Sequence, residues 1–151
     1  MLDGLVSCWN QTVRPEDRVY VLGDFALYLR RRDVELILQE LNGEKYLIQG
    51  NHDHRDVYKA KGWSKVMLFQ TFMLAGEISA CMVHDPKSVD SFAPDYAGLV
   101  LHGHHHGNKE ARGPVIRHKD RTYYDVGVDV DMHHYAPISE TEIFNLVRGF
   151  E

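Results

Sequence analysis

The stretch that most constrains the fold is Leu99-Val100-Leu101-His102-Gly103-His104-His105-His106-Gly107. A short apolar run ends in a glycine-flanked histidine cluster, the pattern of a buried strand that delivers imidazoles to a loop at its tip. Residues two apart in an extended segment point the same way, so His104 and His106 can aim two nitrogens at one site. Paired imidazoles are a common way to hold a divalent transition metal, although a solvated histidine loop gives the same local pattern. Ten histidines are the compositional outlier in the chain, and four of them lie within residues 102–106.

Three other apolar runs end in the same manner. Arg18-Val19-Tyr20-Val21-Leu22 is β-prone and nearly continuous, as in a strand covered on both faces, and it stops at Gly23-Asp24. Lys45-Tyr46-Leu47-Ile48-Gln49 stops at Gly50-Asn51-His52-Asp53. The run from Ile78 to Val83 stops at His84-Asp85-Pro86. Ligand-binding groups in open α/β sheets gather at the C-terminal ends of strands. Each group has a plain alternative: Asp24 as a turn former, Asn51-His52-Asp53 as a locally bonded loop, His84 as a partly buried histidine. Their coincidence at four strand ends points instead to one metal-competent site. A carboxylate, amide and imidazole set without cysteine suits Mn, Fe, Ni or Zn and differs from a structural zinc site.

The remaining pattern predicts an α+β fold in one domain, residues 1–151. Leu2, Leu5, Val6, Trp9 and Val13 give an amphipathic helix that Pro15 ends. Helices are expected over 32–42, closed by Asn42-Gly43, over 55–62, and after Ser139, where Glu142 completes a capping box. Strands are expected at Val66–Phe69 and Thr71–Leu74, then a turn at Gly76-Glu77 before Ile78–Val83. Residues 87–97 read as a loop with some helix and Gly107–Asp120 as a charged connection, followed by strands at Arg121–Tyr124 and Asp125–Val130. Two cysteines are too few for a disulfide framework, which suits a reducing, cytoplasmic setting. No apolar run reaches membrane-spanning length. A net charge of −5 argues against a basic nucleic-acid surface but leaves a small nucleotide or a metal-held phosphate open.

Gly23-Asp24, Gly50-Asn51-His52-Asp53, His84 and Gly103-His104-x-His106 stand in the order and approximate spacing of the calcineurin-like metallophosphoesterases. The chain resembles most the small prokaryotic and phage-type members, which carry blocks similar to Trp9-Asn10, Val19-Tyr20-Val21-Leu22-Gly23-Asp24-Phe25 and Asn42-Gly43-Glu44-Lys45-Tyr46-Leu47-Ile48-Gln49-Gly50-Asn51-His52-Asp53. The likeness runs on through Val126-Gly127-Val128-Asp129 and Pro137. It implies a four-layer α/β/β/α sandwich and hydrolysis of phosphate mono- or diesters by a hydroxide activated between two divalent metal ions. In that scheme Asp24 bridges both ions, Asn51, His84 and His104 complete the second ion's shell, and His106 serves the first. His52 meets the scissile phosphate or the leaving oxygen, with Asp53 orienting its imidazole.

The resemblance breaks at the start. Family members open with a strand ending in Asp-x-His, which supplies the first ion's remaining ligands. Here Asp3 lies in the predicted opening helix without a partner histidine, so the first strand is expected to be missing and the first metal site incomplete. His133 and His134, before the last helix, read as an exposed turn rather than as substitutes. An upstream start, a truncated relative, or a second copy of the chain covering the gap would each account for the missing strand. The functional alternative is a weakly active or non-catalytic metal-binding remnant of the fold. The expected partner is a phosphate-ester substrate, nucleotides included, with no membrane.

Overall fold

The computed structural model describes residues 2–104, 115–129 and 133–149. Helix α1 (Leu2–Thr12) leads into β1 (Arg18–Val21), α2 (Arg31–Glu40) and β2 (Glu44–Ile48). A single helical turn, α3 (Arg55–Tyr58), precedes β3 (Trp63–Met67), β4 (Phe69–Leu74) and β5 (Ile78–Val83). A 3-10 turn at Pro86–Ser88 runs into α4 (Val89–Phe92), then come β6 (Gly98–His102), β7 (Val115–His118), β8 (Arg121–Asp125) and α5 (Glu140–Arg148). The fold is α+β with two sheets. One is parallel, in the order β1-β2-β3; the other is mixed, in the order β4-β5-β6-β8-β7, with β5, β6 and β8 parallel.

The two-residue period of the strands sends alternate apolar side chains to different clusters. Ala80 and Met82 of β5, Leu99 and Leu101 of β6, and Tyr124 of β8 share one cluster with Leu22 and Ile48, at the ends of β1 and β2, and with Ile143 and Val147 of α5. Their alternates Cys81, Val83 and Val100 pack with Val89, Phe92 and Tyr96 of the α4 segment. Leu47 of β2 faces the other way from Ile48 and joins Val34 and Leu38 of α2 and Val57 of α3. Each fully buried Val or Leu in these clusters contributes about 1.5–3 kcal/mol relative to exposure.

Four expectations need correction. The β1 run is covered on both faces only at its C-terminal end, where Val21 and Leu22 pack into different clusters: Tyr20 is 37% exposed and stacks on Tyr46 of β2, ring centroids 5.0 Å apart. The helix expected over 55–62 is only the turn α3, because Gly62 (φ +121) packs its backbone on Leu38 before β3 begins. The charged connection contains a strand, β7, held by antiparallel pairing to β8 through a hairpin turn with Lys119 at φ 53. Conversely, the strand expected from Asp125 ends at that residue: the Asp125 side chain accepts the Gly127 N–H and turns the chain. Among the described residues β1 pairs with β2 alone. No helix among them is long and apolar enough to cross a membrane.

Candidate metal centre

β1, β2, β5 and β6 each deliver a polar group just past the C-terminal end. His84 follows β5 directly, and its buried ring turns Nδ1 to the Leu22 carbonyl at 2.8 Å, tying the two sheets together. A carbonyl only accepts, so Nδ1 carries a proton and donates it there. Around that nitrogen lie Asn51 Oδ1 at 2.8 Å, His104 Nδ1 at 2.9 Å and Asp24 Oδ2 at 3.3 Å. The ligand atoms of Asp24, His84 and His104 all fall within 4.8 Å of one another. Donor atoms bound tetrahedrally at ~2.1 Å from a metal lie about 3.4 Å apart, the same scale as these separations. A proton on Nε2 would serve one partner along one line. A carboxylate oxygen, an amide oxygen and a second imidazole nitrogen surround this one, and a divalent cation could meet all of them at once.

Local backbone makes the convergence possible. Asp24 sits at φ 54, a left-handed conformation that aspartate tolerates and that re-aims the carboxylate as the chain leaves β1. Gly23, at φ 87, lets the backbone pass the His84 ring, which a Cβ would strike. A Cβ at Gly50 would strike the Asp24 carboxylate and backbone nitrogen. Both glycines are therefore required by close approach, as polar strand ends from different strands crowd one point.

Asp53 does not orient His52. Its buried carboxylate accepts the N–H groups of Asp24, Phe25 and Gly50, each at 2.9 Å, so both oxygens are committed to backbone. Three N–H donors converge there, and a carboxylate is the side chain that can satisfy them together. The neighbouring His52 donates its own N–H to Asp24 Oδ1 at 2.9 Å, and its side chain is exposed. The ligand carboxylate is thus held from both sides by the residue 50–53 loop. His105 and His106 lie outside the described residues.

His133 corrects a further expectation. It is 7% exposed rather than on an open turn, with Nδ1 on the Gly127 carbonyl at 2.7 Å and Nε2 on the Tyr124 hydroxyl at 3.1 Å. His134 is exposed, at φ 48. Burial pushes the Tyr124 phenol up to about 12.

A cavity of about 470 Å³ opens at the metal-competent cluster, and Asn51, His84 and His104 line it. Leu68, Phe92, Gln49, Asp85 and Ser88 also line it. Sequence reading passed over these residues. The sequence puts Leu68 inside the strand expected at Val66–Phe69, whereas β3 ends at Met67, β4 begins at Phe69, and Leu68 stands between them.

No family model matches the chain. The uncharacterized protein MJ1445 of Methanocaldococcus jannaschii is 31% identical over 145 residues, covering 95% of this chain and 73% of the relative. The gene 66 protein of Mycobacterium phage L5 is 26% identical over 176 aligned residues, covering 95% of this chain and 79% of that protein. Among solved structures, a protein of unknown function from Aquifex aeolicus, AQ665, superposes with a TM-score of 0.71 at 23% identity. That match covers 96% of this chain and 84% of the other, and it speaks to the fold alone.

Proposed function

From a chain that belongs to the family of the uncharacterized protein MJ1445 of Methanocaldococcus jannaschii, we propose a metal-dependent phosphoesterase of the calcineurin-like type, its α+β fold being the α/β/β/α sandwich of that type. The observation that carries this reading is the ring of oxygen and nitrogen atoms around His84 Nε2. Asp24, Asn51, His84 and His104 would hold one divalent cation, and Mn, Fe, Ni and Zn all suit this donor set. A second ion sharing Asp24, with His106, is the part of the proposal that rests on resemblance. Bound metal supplies Lewis acidity toward a phosphate oxygen and lowers the pKa of a water.

The chain's own residues do the rest. Neutral Asn51, His84 and His104 leave net positive charge for an anionic substrate, which a shell of carboxylates would cancel. Asp24 is fixed by its backbone N–H on Asp53 and by the His52 N–H on its own Oδ1. His52, exposed at the edge of this cluster, is the group proposed to give a proton to the leaving oxygen, a role worth about 10²–10⁴-fold.

Equilibrium dialysis against Mn²⁺, followed by metal analysis and by assay on generic aryl phosphate mono- and diesters, tests the reading. Metal-dependent release of the aryl group, lost on chelation and restored by Mn²⁺, is the expected result. Stoichiometric metal without turnover favours a non-catalytic metal-binding domain, and failure to bind any metal overturns the proposal.

A further inference from the structure

We propose that β4 is a docking edge for a second copy of this chain, whose own β4 pairs with it antiparallel across a two-fold axis. The strand supplies no metal-competent residue, so the inference stands apart from the phosphoesterase reading, and the edge it uses is not that of β1. A strand at a sheet edge presents N–H and C=O groups to whatever strand meets it, and proteins ordinarily guard such strands with charge or proline. Among the described residues the edge strands are β1 and β3 in one sheet, β4 and β7 in the other. Arg18, Lys65 and Arg117 place a charge on β1, β3 and β7. β4 has no such guard: no charged residue and no proline stands between Lys65 and Glu77.

The side chains of β4 alternate between core and surface. Phe72 and Leu74 join the cluster shared by the two sheets. Phe69 and Met73, on the other face, are 38% and 53% exposed, and Thr71 between them is exposed as well. Phe69 keeps that exposure although Phe92 stacks on its ring, centroids 5.2 Å apart and planes at 9°. In the middle of the strand Gln70 Nε2 donates to the Thr71 carbonyl at 2.6 Å. A main-chain acceptor is thus met by a neutral side chain, which an incoming strand's N–H can displace.

The occupant is a second copy because β4 fits itself. A two-fold axis perpendicular to the sheet reverses the strand and keeps its faces, so exposed side chains meet exposed side chains. With the axis through Thr71, Phe69 lies opposite the partner's Met73, Gln70 opposite the partner's Phe72, and Thr71 opposite the partner's Thr71. A thioether against an aromatic ring and threonine against threonine are favourable cross-strand pairs, and no like charges are set together. The pairing joins two five-stranded sheets into one and consumes both β4 edges, so association closes at two copies. A contact of this length belongs with the interfaces below about 1,200 Å² that form transient complexes, and a dissociation constant on the order of 10 µM is expected.

Sedimentation velocity on the full chain over a concentration series tests this. Expected is a monomer–dimer equilibrium in which the β4 amides gain protection from hydrogen exchange as the dimer fills. Thr71→Lys and Thr71→Glu set like charges on the axis, and each should weaken the dimer at least about tenfold while leaving the thermal transition of the monomer in place. Mixing the two variants sets opposite charges there and should return the affinity to within about threefold of the parent chain. Should either variant fail to fold, hydrogen exchange on the parent chain decides the matter. A chain that stays monomeric up to about 1 mM overturns the inference, as does association that runs past two copies. So does a dimer that forms without new protection in β4, one indifferent to Thr71→Lys, or one that the mixture of variants does not rescue.

Discussion

His84 and His133 are both buried, and each gives one ring nitrogen to a backbone carbonyl, Leu22 at 2.8 Å for the first and Gly127 at 2.7 Å for the second. The difference lies at the other nitrogen. His133 Nε2 meets a hydroxyl that can donate, Tyr124 at 3.1 Å, so each donor has an acceptor and the cluster is complete in itself. His84 Nε2 meets a carboxylate oxygen, an amide oxygen and a second imidazole nitrogen. There two oxygens that only accept crowd one ring nitrogen. The same residue type is therefore structural in one place and a candidate ligand in the other, and the partners decide which, since burial is common to both.

The comparison can be broken or sharpened experimentally. The largest effect is expected from Asp24→Asn, which keeps a side chain tolerant of φ 54 but replaces an anionic donor. Affinity for Mn²⁺ should fall at least about 100-fold, measured by titration, with the thermal transition of the metal-free chain little changed. Unchanged affinity would mean that the two histidine clusters do not differ as argued.

Next comes alkaline pH, which addresses the other cluster. The Tyr124 phenol is pushed up from an ordinary value near 10 to about 12. The unfolded chain loses this proton first, so the stability from keeping Tyr124 neutral is full below pH 10 and is lost as pH rises toward 12. The amount at stake is on the order of 2–3 kcal/mol, read as a falling denaturation midpoint. Metal-site residues play no part in that step. A smaller effect is expected from Tyr124→Phe: a loss of about 1–2 kcal/mol, because His133 Nε2 is left buried without its donor. This variant should also abolish the pH 10–12 step and bind Mn²⁺ within twofold of the parent chain. A large fall in metal affinity would show that the clusters are coupled.

The strand ends were legible in the sequence because a strand bearing a ligand leaves a local signature, an apolar run stopped by glycine and a polar residue. Asp24, Asn51 and His104 carry it in full, and His84 follows its apolar run directly, without the glycine. β7 leaves almost none: Val115 and Ile116 stand in a charged segment, and pairing with Tyr124 and Tyr123 across the sheet makes them a strand. His133 was illegible for the same reason, since its partner Tyr124 lies on another element. Asp53 misled in a different way. A side-chain reading pairs it with the adjacent imidazole, but its partners are backbone N–H groups, which look alike at every position of a sequence.

That carboxylate has a consequence for how the ligand set behaves as an ensemble. With one oxygen shared between the Asp24 and Gly50 amides and the other on Phe25, the chain leaving β1 and the chain leaving β2 cannot loosen independently. Freeing either segment strips hydrogen bonds from the other, so opening is a concerted event and intermediate arrangements are scarce. The freedom that would otherwise be lost in gathering donors around an ion has already been lost in folding. An arriving cation would meet donors that are assembled or absent, with little in between.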